Sequence, residues 1–187
     1  GNFFLPPLGS FFCPSSGFWQ NAESWDEHTP ATIEFPDLME EVDVWQNDRK
    51  VPYLYGNHLV DLVKVQGYIH ARDRLWQMDI NIRAAAGNIS EILGERALPF
   101  DLLQRNYGLM RSAQRTVGRL TEDPEALRFL KAYSEGVNTY IDGLSQSEYP
   151  LEFKLLDYEP QRWKPLFTVL FMNNMRPART TPLSWTG

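Results

Sequence analysis

The sequence has almost no cysteine and no long apolar run. Among its 187 residues only Cys13 is a cysteine, so neither an intrachain disulfide nor a thiolate metal cage can form. No stretch approaches the roughly 18 consecutive apolar residues that a membrane-spanning helix requires. The chain carries 18 basic and 24 acidic residues, a net charge of −6, and so lacks the basic field that attracts nucleic acid. We therefore expect no disulfide scaffold, no membrane span and no nucleic-acid partner.

Motifs for self-contained chemistry are also missing. The sequence has no Gly-rich phosphate loop, no helical His pair around a Glu and no Gly-x-Ser-x-Gly elbow. The three histidines, His28, His58 and His70, are widely spaced, whereas a metal site needs its ligands in a defined arrangement. From these residues the sequence predicts no metal ligand and no catalytic residue.

Aromatic residues are abundant at the start of the chain. Residues 1–41 contain the pair Pro6 and Pro7, which opposes a regular helix, and we expect an extended arm there. A free segment with this many aromatic residues would expose a large apolar surface to water, which is unfavourable. The arm is therefore expected to pack, either on the core of its own chain or against a second chain. The aromatic residues of this arm include Phe3, Phe4, Phe11, Phe12, Phe18, Trp19 and Trp25.

Regular structure is predicted from residue 42 onward. Val42 to Val44 and Val51 to Tyr55 flank a polar stretch, which is typical of two short strands joined by a turn. Pro52 restricts the second strand to a sheet edge or a strand start. Helical spacing follows, and the sequence predicts an α+β protein that is predominantly helical. The predicted helices cover 61–86, a short segment from 88, 101–120, 123–143 and 165–175.

Local signals set some of these helix boundaries. Gly87 is expected to end the long helix as a C-terminal cap. Asn88, with Glu91 three residues later, is expected to cap the next helix, and Asp123 to cap the helix that Pro124 opens. Inside the long helix, charged residues alternate with apolar ones, so some charges are expected to be buried and paired. The candidate ion pairs are Arg72 with Asp79 and Asp79 with Arg83.

Several segments together resemble one protein family. In order and spacing they are similar to the penicillin acylase (penicillin amidase) family of N-terminal nucleophile hydrolases. The resemblance covers about Val42 to Met175, and parts of the arm are similar to an N-terminal extension of some bacterial members. The matching segments are Val42–Trp45, Arg49–Tyr55, Gln66–Met78, Ala86–Gly94, Ala132–Asn138 and Tyr158–Trp163.

This resemblance implies that the chain is an alpha chain. Members of the family cut one precursor into a small alpha chain and a large beta chain, and the two form an αββα fold. Their nucleophile is the serine that begins the beta chain, with its own α-amino group as base. The alpha chain would then be inactive alone, and its partners would be the beta chain and a small N-acyl amide. Export to the periplasm of a bacterium is also implied.

The resemblance also indicates a substrate-binding surface. The last helix builds a wall of the acyl pocket in the family, and by position Phe171, Met172 and Met175 would form that wall here. Residues of these types at helical spacing are equally consistent with ordinary core packing.

Beyond Met175 the resemblance ends, and we treat residues 176–187 as a divergent tail. The family implies a calcium ion in the whole enzyme, yet no acidic residue follows Glu159 and no calcium ligand is identifiable in this chain. Arg176 or Arg179 could replace an arginine of the family's pocket. Two functions remain open: the alpha subunit of an amidohydrolase that acts on beta-lactam side chains, acyl-homoserine lactones or other N-acyl compounds, or a non-catalytic helical binding module.

Overall fold

The computed structural model describes residues 8–13, 15, 17–21, 32–35 and 37–175. Two strands and eight α-helices are formed there, joined by short 3₁₀ turns. None of the helices in this part of the chain has the length and apolar character needed to cross a membrane. The tail from 176 onward, including Arg176 and Arg179, lies outside the described residues.

The predicted strand pair is present. Strand β1 covers Asp43–Gln46 and strand β2 covers Pro52–Tyr55, and they form a two-stranded antiparallel sheet. Asn47 shapes the turn between them, because its side-chain Oδ1 accepts hydrogen bonds from the backbone N–H groups of Arg49 and Val51. Lys50 takes the left-handed conformation, with φ of 57°, which closes the turn.

The helices account for most of the described chain. Their boundaries agree with the predicted ones for the long helix, the helix opened by Pro124 and the last helix. The helices are α1 Leu8–Phe11, α2 Leu59–Ala86, α3 Ser90–Leu93, α4 Leu98–Tyr107, α5 Leu109–Arg119, α6 Pro124–Gly143, α7 Leu151–Leu156 and α8 Pro165–Asn174.

The long helices α2 and α6 pack against each other more extensively than any other pair of elements. Two glycines allow this close approach. A Cβ atom at Gly136 would collide with the carbonyl oxygen of Lys64, and one at Gly67 would collide with that of Tyr133. Each helix thus uses a glycine to accept the backbone of the other, which fixes where they cross.

Two local predictions were wrong. The helix expected over 101–120 is two helices, α4 and α5, because Gly108 adopts φ of 70° and ends α4 as a left-handed cap. Asn88 does not cap α3 with its side chain. Instead the buried carboxylate of Asp101 accepts the N–H groups of Ile89 and Ser90, at 2.9 and 2.7 Å. A residue eleven or more positions away therefore performs the capping that the local motif indicated.

The arm is not wholly extended. It contains α1 and a 3₁₀ turn at Phe18–Asn21, and both contact α7. The contact is fixed by Lys154, a buried lysine whose Nζ donates to Gly17 O, Asn21 Oδ1 and Ser147 O at 3.1, 2.6 and 2.7 Å. Its pKa is lowered by burial. The described part of the arm thus packs on its own chain, while Phe3, Phe4 and Trp25 lie outside the described residues.

One hydrophobic core joins the helices. It collects buried residues from α2, α5, α6, α7 and α8, together with Trp163 from the loop before α8. The fold class is therefore α+β and predominantly helical, as the sequence predicts, with the strand pair attached at the start of α2.

Candidate functional site

The last helix, α8, carries Phe171 and Met172, and Met175 is the residue that follows it. Phe167, Val169 and Leu170 face the core and are buried, whereas Phe171 is half-buried and packs on the edge of that core. Met172 and Met175 are 60% and 62% exposed. Three positions separate the two methionines, so they lie on one side of the helix end. The structure thus brings Met172 and Met175 together as an apolar surface and assigns Phe171 largely to packing.

A pair of hydrogen bonds holds the start of α8 in place. Asn138 of α6 accepts the N–H of Trp163 at 2.7 Å and donates its Nδ2 to the carbonyl oxygen of Trp163 at 2.9 Å. The indole Nε1 of Trp163 then donates to Thr168 Oγ1 inside the helix at 2.9 Å. Since both amide atoms of Asn138 are used, the chain entering α8 has one position relative to α6. The methionine surface is consequently presented by a fixed helix.

A network of polar groups lies near the end of α2. Arg83 binds Asp79 and Glu91, each at 2.8 Å, and its guanidinium lies 5.2 Å from the ring centroid of Tyr158. Asp79 is only 3% exposed, so its charge needs the guanidinium beside it. Burial raises the pKa of the Tyr158 hydroxyl, and the nearby Asp79 carboxylate raises it further. The network joins α2 to α3, which contains Glu91, and to the loop before α8, which contains Tyr158.

The predicted ion pairs are thus only partly present. Asp79 pairs with Arg83, as the four-residue spacing indicated. Arg72 pairs with its neighbour Asp73 instead of Asp79, and that pair is exposed. One reason is a break in helical geometry at Arg74, where φ is −144° and ψ is 22°. The kink shifts the turn that holds Arg72 relative to the turn that holds Asp79.

The segment between α2 and α4 is held by Asp101 and Arg105. Arg105 donates to Gly87 O at 2.8 Å and to Asn88 Oδ1 at 2.9 Å. Burial alone raises the pKa of Asp101, yet its hydrogen bonds from Ser90 and Ile89 and the charge of Arg105 outweigh this and leave the pKa below its ordinary value. Asp101 is therefore an ionised group with a structural task.

His70 is the histidine of α2, and it contacts α6. Its Nδ1 lies 3.0 Å from the hydroxyl of Tyr133. Burial lowers the pKa of His70, and burial raises the pKa of Tyr133 to about 12. Both groups are therefore neutral near pH 7, and the pair links the helices by a hydrogen bond.

Two cavities formed by the described residues lie away from the exposed methionines. A cavity of about 140 Å³ lies beside α7 and Tyr158, and a groove of about 590 Å³ lies between α6 and the start of α2. Phe171, Met172 and Met175 contribute to neither. Neither of these two cavities is therefore an acyl pocket at the methionines.

The described residues form no cluster of acidic side chains that resembles a calcium site. Calcium takes six to eight oxygen ligands, several of them carboxylates. No group of three or more Asp, Glu, His or Cys side chains in the described ranges is placed to hold a metal ion. Asp79 and Glu91, the acidic residues of the Arg83 network, are both paired with Arg83.

Comparison with known proteins identifies the family. Residues 41–183 match the family described as Penicillin amidase. This chain belongs to the penicillin amidase family. The match includes the strand pair, all the helices from α2 to α8 and the methionine surface, so the candidate site lies within the family's own region.

Curated relatives of this penicillin amidase chain fall in two groups. It is 31% identical over 144 residues to penicillin acylase 2 proenzyme from Pseudomonas sp. strain SE83, a match that covers 77% of the chain and 18% of that protein. It is 33% identical over 138 residues to the acyl-homoserine lactone acylase QuiP from Pseudomonas syringae pv. tomato, which covers 73% and 16%. The chain therefore spans less than a fifth of the length of these relatives.

A solved structure shows the same fold. The thermostable penicillin G acylase from Alcaligenes faecalis superposes with a TM-score of 0.67 at 24% identity, covering 78% of this chain and 78% of that chain. Because equal shares of the two chains are covered, the two chains are of similar length.

Sequence reasoning missed how the penicillin amidase segments meet. Asn138 ends one matching segment and Trp163 ends another, and they form the pair of hydrogen bonds that fixes α8. Asp101 lies in none of those segments, yet it caps α3. An Asn and a Trp that are 25 residues apart carry no local signal of contact, so only their membership in two matching segments could have marked them.

Proposed function

We propose that this chain is the alpha subunit of a penicillin-acylase-like amidohydrolase. The observation that carries the proposal is the exposed pair Met172 and Met175 on a fixed helix of a penicillin amidase chain. An apolar pair with this exposure is suited to enclose an acyl group once a second chain supplies the opposite wall. Phe171 would support the pair from the core side.

The companion in this proposal is a beta chain that begins with serine. Its hydroxyl would attack the amide carbonyl while the α-amino group of the same residue takes the proton. The amine product would leave with that proton, and water would then hydrolyse the acyl-serine ester to a carboxylic acid. The alpha chain would bind and orient the acyl group and would be inactive alone.

The proposed substrate class is taken from the names of the curated relatives. Two relatives are named a penicillin acylase and an acyl-homoserine lactone acylase, and a methionine wall adapts readily to acyl groups of different shape. We infer that the substrate is an N-acyl compound of this kind, with a beta-lactam or a homoserine lactone as the amine part. The protein is proposed to act in the periplasm, and a calcium ion is proposed for the whole enzyme.

Further apolar surfaces support a companion chain. The segment from α3 through α4 exposes large apolar side chains that a companion chain could cover. A beta chain that covered them would bury an apolar face of α4. The exposed residues of this segment are Leu93, Leu98, Phe100, Leu102, Leu103 and Tyr107.

The test is to express this chain with its companion coding region and to purify the product without denaturant. Native mass spectrometry should show a complex whose second component begins with serine, and the complex should release free amine from phenylacetyl and acyl-homoserine lactone amides. Replacing that serine with alanine should abolish turnover and leave the complex intact. A chain that stays monomeric beside its expressed companion would favour the non-catalytic binding module instead.

A further inference from the structure

The strand pair has one open face, and that face is aromatic. In the register of the sheet, Trp45 lies opposite Tyr53 and Asp43 lies opposite Tyr55. Alternation along a strand places Trp45, Tyr53 and Tyr55 on one side of the sheet. Trp45 and Tyr55 are 57% and 59% exposed, and the rings of Trp45 and Tyr53 lie 5.4 Å apart. The opposite face carries Leu54, which is half-buried.

Hydrogen bonding distinguishes the inner and outer edges of the two strands. At the turn, Asn47 N–H donates to Val51 O at 3.2 Å, so these two residues form a hydrogen-bonded pair. Such pairs alternate with non-bonded pairs along an antiparallel ladder. Trp45 with Tyr53 is therefore a bonded pair, whereas Val44 with Leu54 and Gln46 with Pro52 point their backbone groups away from each other.

The two outer edges are not equivalent. On β2, one of the two outward residues is Pro52, which has no N–H to donate. On β1, Val44 and Gln46 both present an N–H and a carbonyl oxygen. No hydrogen bond joins these outward groups of β1 to another residue of the described ranges. The edge of β1 can thus accept another strand, while the edge of β2 is blocked at Pro52.

We propose that the outer edge of β1 is a docking edge for an extended segment of the companion chain. The added strand would pair with Val44 and Gln46, and the aromatic face would be covered by the same partner. A sheet of two strands has marginal stability in water, and an open edge beside exposed aromatic residues invites association. Relatives of which this chain spans less than a fifth supply ample chain outside it. The inference rests on the proposed function for the identity of the companion.

The first test measures amide exchange in the assembled protein. In the intact complex, the N–H groups of Val44 and Gln46 should be protected from exchange to within about tenfold of the inward N–H groups of Trp45 and Tyr53. Those inward groups are the internal reference, because their hydrogen bonds belong to the strand pair itself. Unprotected Val44 and Gln46 in an intact complex would overturn the proposal.

The second test uses two substitutions at one position. Val44→Pro removes the outward N–H, and Val44→Ala keeps that N–H while it shortens the side chain. Val44→Pro should raise the dissociation constant of the complex at least about fivefold relative to Val44→Ala, as expected for the loss of one hydrogen bond. Equal constants for the two variants would contradict strand pairing. Protection that appears in this chain alone at high concentration would assign the edge to a second copy and also reject the proposal.

These results are separable from the proposed activity. A complex that protects Val44 and Gln46 but hydrolyses no amide would retain the docking edge and reject the enzymatic proposal. A complex that hydrolyses amides with both groups unprotected would support the enzymatic proposal and reject the docking edge.

Discussion

The side chain of Asn138 hydrogen-bonds both backbone groups of Trp163, at 2.7 Å to its N–H and 2.9 Å to its carbonyl oxygen. This contact connects α6 to the loop before α8 and so determines where the helix of Met172 and Met175 begins. Its effect can be measured separately from any activity.

Replacing Asn138 with alanine should lower the free energy of unfolding by about 2 kcal/mol or more, because two partly buried backbone groups lose their partner. Urea unfolding at constant m-value measures this loss. The matched control is Asn106→Ala, which removes an exposed amide of α4 and should change stability by less than about 0.5 kcal/mol. Equal stabilities for the two variants would contradict the structural role of Asn138.

Replacing Gly136 with alanine should force α2 and α6 apart, because the added Cβ meets the carbonyl oxygen of Lys64. Overpacking of this kind costs about 1–3 kcal/mol or more. Gly118→Ala is the control, since a Cβ there meets nothing within 4 Å. That variant should be neutral or up to about 1 kcal/mol more stable, because alanine favours a helix interior. The midpoint temperatures of thermal unfolding of the two variants test this prediction.

Replacing Arg83 with methionine should destabilise the fold by about 3–5 kcal/mol, because the buried carboxylate of Asp79 loses its cation. Adding Asp79→Asn to that variant should restore part of the stability by removing the charge. Arg72→Met provides the comparison, since its pair with Asp73 is exposed and contributes at most about 1 kcal/mol. An additive double variant would show that Asp79 and Arg83 are not coupled.

Stability in acid should depend on Asp101. The pKa of this carboxyl is below its ordinary value of 3.8, so its contribution is complete above that value and is lost as the pH falls through the lower folded-state pKa. Asp101→Asn should be less stable at pH 7 by about 1–3 kcal/mol, because one backbone donor loses its acceptor. The variant should then lose less stability than the parent as the pH falls below about 4. Parallel pH profiles would assign the acid sensitivity to other carboxylates.

Met172→Ala and Met175→Ala should leave stability within about 0.5 kcal/mol, because both side chains are exposed. In the assembled protein, each variant should change the ratio of kcat/KM for long acyl groups to kcat/KM for short ones by about tenfold or more, because apolar enclosure of the acyl group is lost. Met39→Ala, with a methionine of similar exposure elsewhere, should change neither quantity. If neither methionine variant changed the acyl preference, Met172 and Met175 would not line the acyl pocket.

Much of the fold could be predicted because the relevant signals are local. Gly87 ends α2 with φ of 72° as predicted, and Asp123 caps α6 by accepting from Ala126 N at 3.1 Å. The strand pair was indicated by alternation around a polar turn. Gly108 escaped prediction because a glycine inside helical periodicity is compatible with both a continuous helix and a break.

The candidate site was predicted only as a segment. Helical spacing placed Phe171, Met172 and Met175 on one helix, but it did not say which of them faces the core. That distinction depends on which side of α8 the other helices cover, and their positions depend on contacts between distant residues such as Asn138 and Trp163.

The sequence by itself determined the family, the helical class and most element boundaries, because caps, turns and apolar spacing act within a few residues. Only the tertiary structure decided which charges are paired, which residue caps α3, which strand edge is open and which methionines are exposed. Those outcomes depend on how backbones approach across the chain, as Gly67 and Gly136 permit between α2 and α6. Close packing admits one such arrangement, and a residue's neighbours in sequence do not specify it.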